Sequence, residues 1–159
     1  MMSAGHGEDG ATAKTPPFEL LTIREFHISD YEDALDVWRR ANVNLRLDGR
    51  DSLESLERQL RFMGPFMLVA EMGGKVVGVA LGSHDGMEGF INRIAVHPDY
   101  RRRRIATRLI EEAERRLIDK GVESIILVAE TDKQESIEAF KKMGFTERLR
   151  VSYMMKRDI

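Results

Sequence analysis

Four consecutive arginines occupy positions 101–104, between an apolar segment that ends at Val96 and an amphipathic helical pattern. A helix N-terminus presents unpaired backbone N–H groups and a partial positive charge, so it favours anions. Guanidinium groups add charge and paired donors that match phosphate oxygens. The pattern therefore predicts a diphosphate site at this turn, built from side chains and backbone amides. Its residues are Arg101, Arg102, Arg103, Arg104, Ile105, Ala106 and Thr107.

The same basic run has two other interpretations. A solvated charged surface explains the charge pattern equally well. Nucleic-acid binding is less favoured, because no aromatic residues are interleaved with the arginines and no second basic patch accompanies them. The chain has 25 Lys and Arg against 27 Asp and Glu, a net charge of −2, so no global field draws it to nucleic acid or anionic lipid. We expect neither as a partner.

Composition limits the remaining classes of site. The chain has no cysteine, which excludes disulfides, thiolate metal sites and cysteine nucleophiles, and its histidines lack metal-ligand spacing, so we expect no metal. Residues 1–17 have no apolar periodicity and predict a disordered tail, followed by one domain over residues 18–159. We find neither a secretory signal nor the roughly 18 apolar residues of a membrane span, and we expect a cytoplasmic protein.

The elements that must position the arginines begin with a meander. Gly73-Gly74 predicts a tight hairpin, because both positions tolerate positive φ. Ser29 with Glu32 is a capping box, and Asp51 with Glu54 marks a second helix start. The predicted elements are a strand at 20–26, a helix from 29 to 41, a helix from 51 to 65, and strands at 66–72, 75–81 and 89–96.

The second half alternates strands and helices. The helix after the arginines, at about 103–120, carries an apolar stripe and ends at Gly121. A short apolar strand at 124–129 is typical of one covered on both faces. A helix from Thr131 to Gly144 and one or two last strands at 145–156 follow. The fold class expected is α/β (α+β), a mixed central sheet flanked by helices, antiparallel at first and with a later βαβ unit.

The segment 94–106 resembles the acetyl-CoA-binding motif of the general-control-related N-acetyltransferase superfamily, here called GNAT. Its members have a strand, then Arg/Gln-x-x-Gly-x-Gly/Ala, then a helix. Arg101 takes the first position of that motif and Ala106 the last, whereas Arg104 stands where a glycine is usual. We expect a helical φ at Arg104 that leaves its N–H available, with altered detail in cofactor binding. The resemblance covers residues 20–157 in element order, with a weaker match at 139–145.

The resemblance implies a GNAT-like acyl-CoA N-acyltransferase fold that moves an acetyl group from acetyl-CoA to an amine. It implies that the pantetheine arm bonds to the main chain of Ile94, Ala95 and Val96, as an added strand would. It also implies that strands 89–96 and 124–130 diverge and open a slot for the thioester. The side chains of Ile94 and Val96 are expected in the core.

The usual proton-handling residues of the family are absent. Phe140 takes the position of a tyrosine acid, Lys133 that of an asparagine at the start of the same helix, and Phe90 that of a glutamate base. Lys133 and Phe140 are still expected to line the cofactor. The attacking amine must be neutral, because an ammonium with a pKa of about 10.4, as in lysine, has no lone pair.

Three residues are possible substitutes, and each has a structural alternative. Asn92 lies two and four residues before Ile94 and Val96, so in a regular strand all three share a face. Asn92 could hold a proton-relaying water, or be an ordinary hydrogen-bonded strand residue. Glu130 ends the diverging strand, where a carboxylate would face the slot, or is a surface charge. Tyr153 in the last strand could donate a proton, or pack as an amphipathic residue. Direct attack with deprotonation by water needs none of them.

Two functions stay open on the sequence. The first is an N-acetyltransferase that works by direct transfer in a ternary complex, with a small-molecule amine or a peptide or protein amine as acceptor. The alternative is an acyl-CoA sensor without transfer, which Arg104, Lys133 and Phe140 motivate. Analogy with the superfamily places one wall of the acceptor pocket at residues 38–62. This segment has two more positive than negative charges, which is too small an excess to identify a substrate. A homodimer is compatible with either function.

Overall fold

The computed structural model describes residues 20–62, 64–129 and 133–157. One mixed sheet has its five strands in sequence order, with the first four antiparallel and the fifth parallel to the fourth. The strands are β1 (Thr22–Glu25), β2 (Phe66–Met72), β3 (Lys75–His84), β4 (Glu88–Val96) and β5 (Ser124–Leu127). The helices are α1 (Tyr31–Arg40), α2 (Leu53–Arg61), α3 (Ile105–Asp119) and α4 (Gln134–Lys142), with 3-10 turns at Ile28–Asp30 and Pro98–Tyr100. The predicted mixed sheet flanked by helices is confirmed.

Two apolar cores lie on opposite faces of this sheet. Successive residues of β2 alternate between them, because side chains along a strand point to opposite faces. Val69 packs with Trp38 of α1 and Leu56 of α2, whereas Leu68 packs with Leu109 of α3. The sheet therefore separates an α1–α2 face from an α3 face, and β4 is in contact with both.

Close approach of α3 to the sheet depends on Gly78 of β3. A Cβ atom at this position would lie 2.9 Å from Cγ2 of Ile105 and 3.1 Å from Cδ1 of Leu109. Real Cβ atoms do not pack that closely, so glycine permits the first turn of α3 to rest directly on β3. The position of the α3 N-terminus is set in this way.

Local turn chemistry is confirmed at the hairpin and corrected at both predicted helix starts. Gly73 and Gly74 have φ values of 59° and 77° between β2 and β3, as a two-residue hairpin turn requires. α2 is capped by Ser52, whose Oγ accepts a hydrogen bond from the Ser55 N–H at 3.1 Å, and not by Asp51. At the first helix, the Asp30 carboxylate accepts the His27 N–H at 2.8 Å.

Asp30 also belongs to an ion-pair network that ties β1 to the first helix. Arg24 contacts Asp30 at 2.8 Å and Glu71 of β2 at 2.7 Å. The Arg24 guanidinium, together with the His27 N–H, holds the pKa of the Asp30 carboxyl below its usual range against the opposing effect of burial. This network replaces the Ser29–Glu32 box that the sequence predicts.

The C-terminal part of the chain departs from the prediction. Residues 145–157 contain no helix or strand, so the one or two last strands expected at 145–156 are wrong. β5 is an edge strand, and Ile126 on it is 39% exposed, so it is not covered on both faces. The tail at 1–17 and Thr131 lie outside the described residues. Within the described ranges, no helix has the length and apolar character needed to cross a bilayer.

Candidate active site

β4 carries a bulge centred on Arg93, whose φ of 55° lies in the left-handed region. β4 pairs with β3 through Asn92–Leu81 and Ala95–Val79, so two residues of β4 stand opposite one residue of β3. A bulge adds one residue to a strand and inverts the side-chain alternation after it. β4 therefore changes face between its two halves.

This inversion corrects the predicted parity of Asn92. Ile94 and Val96 pack against the α3-face core. Asn92 pairs with Leu81, which belongs to the α1–α2 core, and directly paired residues share a face. Asn92 therefore lies on the opposite face from Ile94 and Val96. Counting by two along the sequence could not reveal the extra residue.

The Asn92 side chain has an unusual polar environment. Its Oδ1 atom is buried, and it has no hydrogen-bond partner among the described residues. Buried polar atoms are nearly always hydrogen-bonded, because an unpaired one costs desolvation free energy. The carboxamide oxygen of Asn92 is therefore a free acceptor beside the bulge, on the α1–α2 face.

β4 and β5 separate at the bulge. Their pairing runs from Glu88–Ser124 to Ile91–Leu127, and the Val128 N–H donates to the Ile91 carbonyl oxygen at 2.9 Å. β5 ends at Leu127, while β4 continues to Val96. In the part of the chain that the structure describes, no backbone pairs with the second half of β4 on this side, which leaves an open edge toward β5, as the predicted slot requires.

Backbone groups along this open edge follow from the pairing with β3. The His97 N–H donates to the Val77 carbonyl oxygen at 2.8 Å. Backbone groups alternate between the two edges of a strand, so those of Ile94 and Val96 point to the open edge. By the same alternation Ala95 directs its backbone to Val79 of β3, so the main-chain contact predicted there is not available to a strand-like ligand.

The turn from β4 into α3 is fixed at its start by His97. This imidazole is buried, and its Nδ1 accepts a hydrogen bond from the Asp99 N–H at 3.2 Å. Its Nε2 lies 4.0 Å from the Asp36 carboxylate of α1. His97 therefore anchors the arginine turn to the body of the protein.

The arginine turn itself adopts backbone angles that arginine disfavours. Arg102 and Arg104 have φ values of 62° and 58°. The helical φ expected at Arg104 is therefore wrong: Arg104 takes a left-handed conformation (φ 58°, ψ 24°) that glycine adopts without strain. The connection from β4 into α3 therefore takes this angle although the residue there is arginine.

The arginine turn carries donors that suit an anion. Arg104 is the N-cap of α3, and its side chain makes no capping hydrogen bond. The backbone N–H groups of Ile105, Ala106 and Thr107, in the first turn of α3, therefore have no capping side chain from the described residues as acceptor. All four arginine side chains are exposed. The Arg103 guanidinium lies 5.4 Å from the Tyr100 ring centroid and 3.6 Å from the Met72 sulfur.

The remaining predicted site residues have varied locations. Lys133 is exposed at the N-cap of α4, and Phe140 packs partly buried against the α3-face core. Tyr153 is 81% exposed and lies in no strand, so its predicted placement in a last strand is wrong. Glu130 lies outside the described residues.

Sequence reasoning missed a buried cluster beside Asn92. Arg93 forms an ion pair with Asp51, whose side chain is only 4% exposed. The Trp38 indole N–H donates to the Arg93 carbonyl oxygen at 3.2 Å. The signal that could have identified it is an arginine in the middle of an apolar strand, since a half-buried guanidinium needs a partner.

The chain is similar to one known protein family and to three known proteins. Residues 23–145 match the model of the Acetyltransferase (GNAT) family. An acetyltransferase of Photorhabdus laumondii is 33% identical over 137 residues, which are 86% of this chain and 94% of that protein. The structure of an aminoglycoside N-acetyltransferase, AAC(6')-Iy, in complex with CoA has a TM-score of 0.75 and 22% identity, over 90% of this chain and 99% of that one. The ribosomal-protein-S18-alanine N-acetyltransferase from Escherichia coli has a TM-score of 0.68 and 21% identity, over 82% and 80%.

Proposed function

The chain belongs to the GNAT acetyltransferase family, and we propose that it transfers an acetyl group from acetyl-CoA to a primary amine by direct attack in a ternary complex. One observation carries the proposal: β4 parts from β5 next to the arginine-rich, uncapped start of α3. A slot in the sheet and an anion-binding turn at the same end of β4 suit a ligand with a diphosphate and an extended arm.

The residues present fit acetyl-CoA. The guanidinium groups of residues 101–104 and the first amides of α3 suit its diphosphate. The backbone groups of Ile94 and Val96 suit the amides of its pantetheine arm, as a strand added to a sheet edge would use them. When bound, acetyl-CoA supplies an activated thioester carbonyl.

Asn92 is the described side chain that best suits the amine. A carboxamide oxygen accepts hydrogen bonds but does not take up a proton at neutral pH. Its role is therefore to orient the amine N–H or a water, while the proton leaves through solvent. Glu130 and Tyr153 remain proposals for a base and an acid; neither has support from the described contacts.

Replacement of Asn92 by alanine tests this role. We expect kcat/KM for the amine to fall by about tenfold to a thousandfold, since a misplaced nucleophile loses orientation. The dissociation constant for CoA, measured by isothermal titration, should stay within about twofold because the Asn92 side chain is on the other face from Ile94 and Val96. An unchanged kcat/KM would remove Asn92 from the mechanism.

The acceptor is a small-molecule amine or an amine of a peptide or protein. The solved relatives are named for both kinds, an aminoglycoside in one case and an alanine of ribosomal protein S18 in the other. A panel of an aminoglycoside, free lysine and an alanine-terminated peptide separates these classes. Release of the CoA thiol is the readout for each amine.

Binding and turnover together test the proposed function. We expect CoA to give a saturable heat of binding and at least one amine of the panel to release thiol above the rate without amine. No heat at millimolar CoA would refute cofactor use. The second candidate, an acyl-CoA sensor, is favoured by Phe140, which has no proton to donate. It requires binding without turnover across the panel.

A further inference from the structure

A buried ion pair joins the β4 bulge to the connection between α1 and α2. The Asp51 carboxylate is 4% exposed and the Arg93 guanidinium 12% exposed, and Nη2 of Arg93 donates to Oδ1 of Asp51. A charge removed from water is tolerated only when it is paired and hydrogen-bonded. Asp51 has a second, more exposed cation in Arg50, whose Nε lies 3.7 Å from the same Oδ1, but Arg93 is its buried partner.

Asp51 holds the α1–α2 loop, residues 41–52, at several points. Its Oδ2 accepts the Arg46 N–H at 2.8 Å, and its carbonyl oxygen accepts the Tyr31 hydroxyl at 2.8 Å. Ser52, the next residue, caps α2. The position of Asp51 therefore sets the middle of the loop and the start of α2 together.

Arg93 is held on the other side of the pair by α1. Its guanidinium lies 5.0 Å from the Trp38 ring centroid, and its carbonyl oxygen accepts the Trp38 indole N–H. Its Nη1 donates to the Asn44 carbonyl oxygen of the loop at 3.4 Å. A left-handed arginine costs conformational energy and persists only where its surroundings hold it in place.

We propose that Arg93 is a positioning residue, whose ion pair with Asp51 fixes the α1–α2 loop against the bulge so that the loop forms a wall next to the Asn92 side chain. The proposal rests on the proposed function in one respect, namely that the amine binds on the α1–α2 face of the sheet, beside Asn92. Buried ion pairs add little net stability over apolar pairs. In this protein the contribution that we infer for the pair is to select one arrangement of the loop around it. The expected consequence is a defined loop, not a more stable fold.

Trp38 and one arginine of the loop, Arg46, provide the measurements. Trp38 is the only tryptophan of the chain, so its emission reports the contact with Arg93. Arg46 is a trypsin site within the loop. Arg50 is left out of the readout, because it pairs with Asp51 at 3.7 Å and directly precedes it, so Asp51→Asn would alter that cleavage site itself. We expect Arg93→Gln and Asp51→Asn each to raise the rate of cleavage after Arg46 roughly tenfold, as local opening becomes easier. The Trp38 emission should shift to longer wavelength in Arg93→Gln and return toward the native value in Arg93→Lys.

A double variant separates loop positioning from general stability. Asp51→Asn with Arg93→Gln leaves no lone buried charge, so it should recover the melting temperature if a single variant folds poorly. We expect its loop to stay as susceptible to trypsin as in the single variants. Arg40→Gln, which removes only the exposed pair with Asp36, is the control and should cleave like the native protein.

Two results would overturn the proposal. A double variant with a native, protected loop would show that the ion pair does not fix it. Native cleavage rates and native Trp38 emission in Arg93→Gln would show the same. Titration with CoA on the native protein keeps the two proposals apart, because a failure to bind CoA refutes the proposed function whatever the loop does.

Discussion

Arg104→Gly should make the protein more stable, although it deletes a side chain. Arg104 has φ 58° and ψ 24°. A left-handed conformation costs an L-residue about 1–2 kcal/mol, while glycine gains about 0.5–1 kcal/mol more conformational freedom in the unfolded chain. The expected net gain is about 0.5–1 kcal/mol, or about 1–4 °C in melting temperature for a domain of this size.

Arg101→Gly is the matched control for that change. Arg101 is exposed in the same basic run, so its deletion relieves similar charge repulsion, but its φ of −64° and ψ of 161° suit any residue. It should therefore lose about 0.5–1 kcal/mol. Thermal unfolding followed by circular dichroism measures both variants under identical conditions. If Arg104→Gly melts at or below Arg101→Gly, the left-handed strain argument is refuted.

Three further predictions concern helix packing, acid stability and cofactor affinity. Gly78→Ala should lower the free energy of unfolding by about 1–3 kcal/mol in urea titrations, because the added Cβ would lie 2.9 Å from Ile105. Gly49→Ala is its control and should be near neutral, because the Cβ added there would lie 3.5 Å from its nearest neighbour. Arg115, aided by Arg116, lowers the pKa of Glu112 from its ordinary 4.5 to about 2, so the stability that this carboxylate contributes is present above pH 4.5 and lost as pH falls toward 2. Glu112→Gln should flatten this part of the stability curve, and Glu123→Gln should not; equal curves would contradict the assignment. The double variant Arg101→Ala, Arg103→Ala should weaken CoA binding by a few kcal/mol at most in calorimetry, because each charged hydrogen bond contributes about 1.5–3 kcal/mol. An unchanged affinity would mean that the arginines at 101–104 form only a solvated surface.

Local patterns predicted the elements that present the site. Gly73-Gly74 specifies the hairpin by itself, because only its two residues need positive φ. The apolar stripe of α3 likewise predicts its course, within two residues at either end. The antiparallel start of the sheet and the later parallel strand followed from such short-range signals, and so did the strand–turn–helix sequence around the four arginines. Anion binding at that turn stays a prediction.

The bulge in β4 and the face on which Asn92 lies depend on long-range contacts, which local sequence patterns do not report. The bulge at Arg93 depends on Trp38 and on Asp51, which is 42 residues away in the chain. Asp51 precedes an acidic helix start and its position predicts a helix cap, but its carboxylate forms the ion pair with Arg93 instead. The inverted parity of Asn92 follows from the same bulge. Side-chain periodicity reports faces only while a strand stays regular.

The segment 145–156 departs from its prediction. The sequence predicts one or two strands there, yet the structure has none. β5 is an edge strand, so a partner edge is present, but residues 145–157 do not pair with it. The pattern of side chains does not specify which strands pair. The predicted placement of Tyr153 in a last strand is wrong for this reason, while its role as a proton donor stays a prediction.

A crystal structure with CoA bound tests the central claim most directly. The account predicts diphosphate oxygens within hydrogen-bond distance of the amides and guanidinium groups of residues 101–107. It also predicts a pantetheine arm along the open edge of β4, bonded to the backbone of Ile94 and Val96. CoA bound elsewhere, or a β4–β5 opening filled by the protein's own chain, would contradict it.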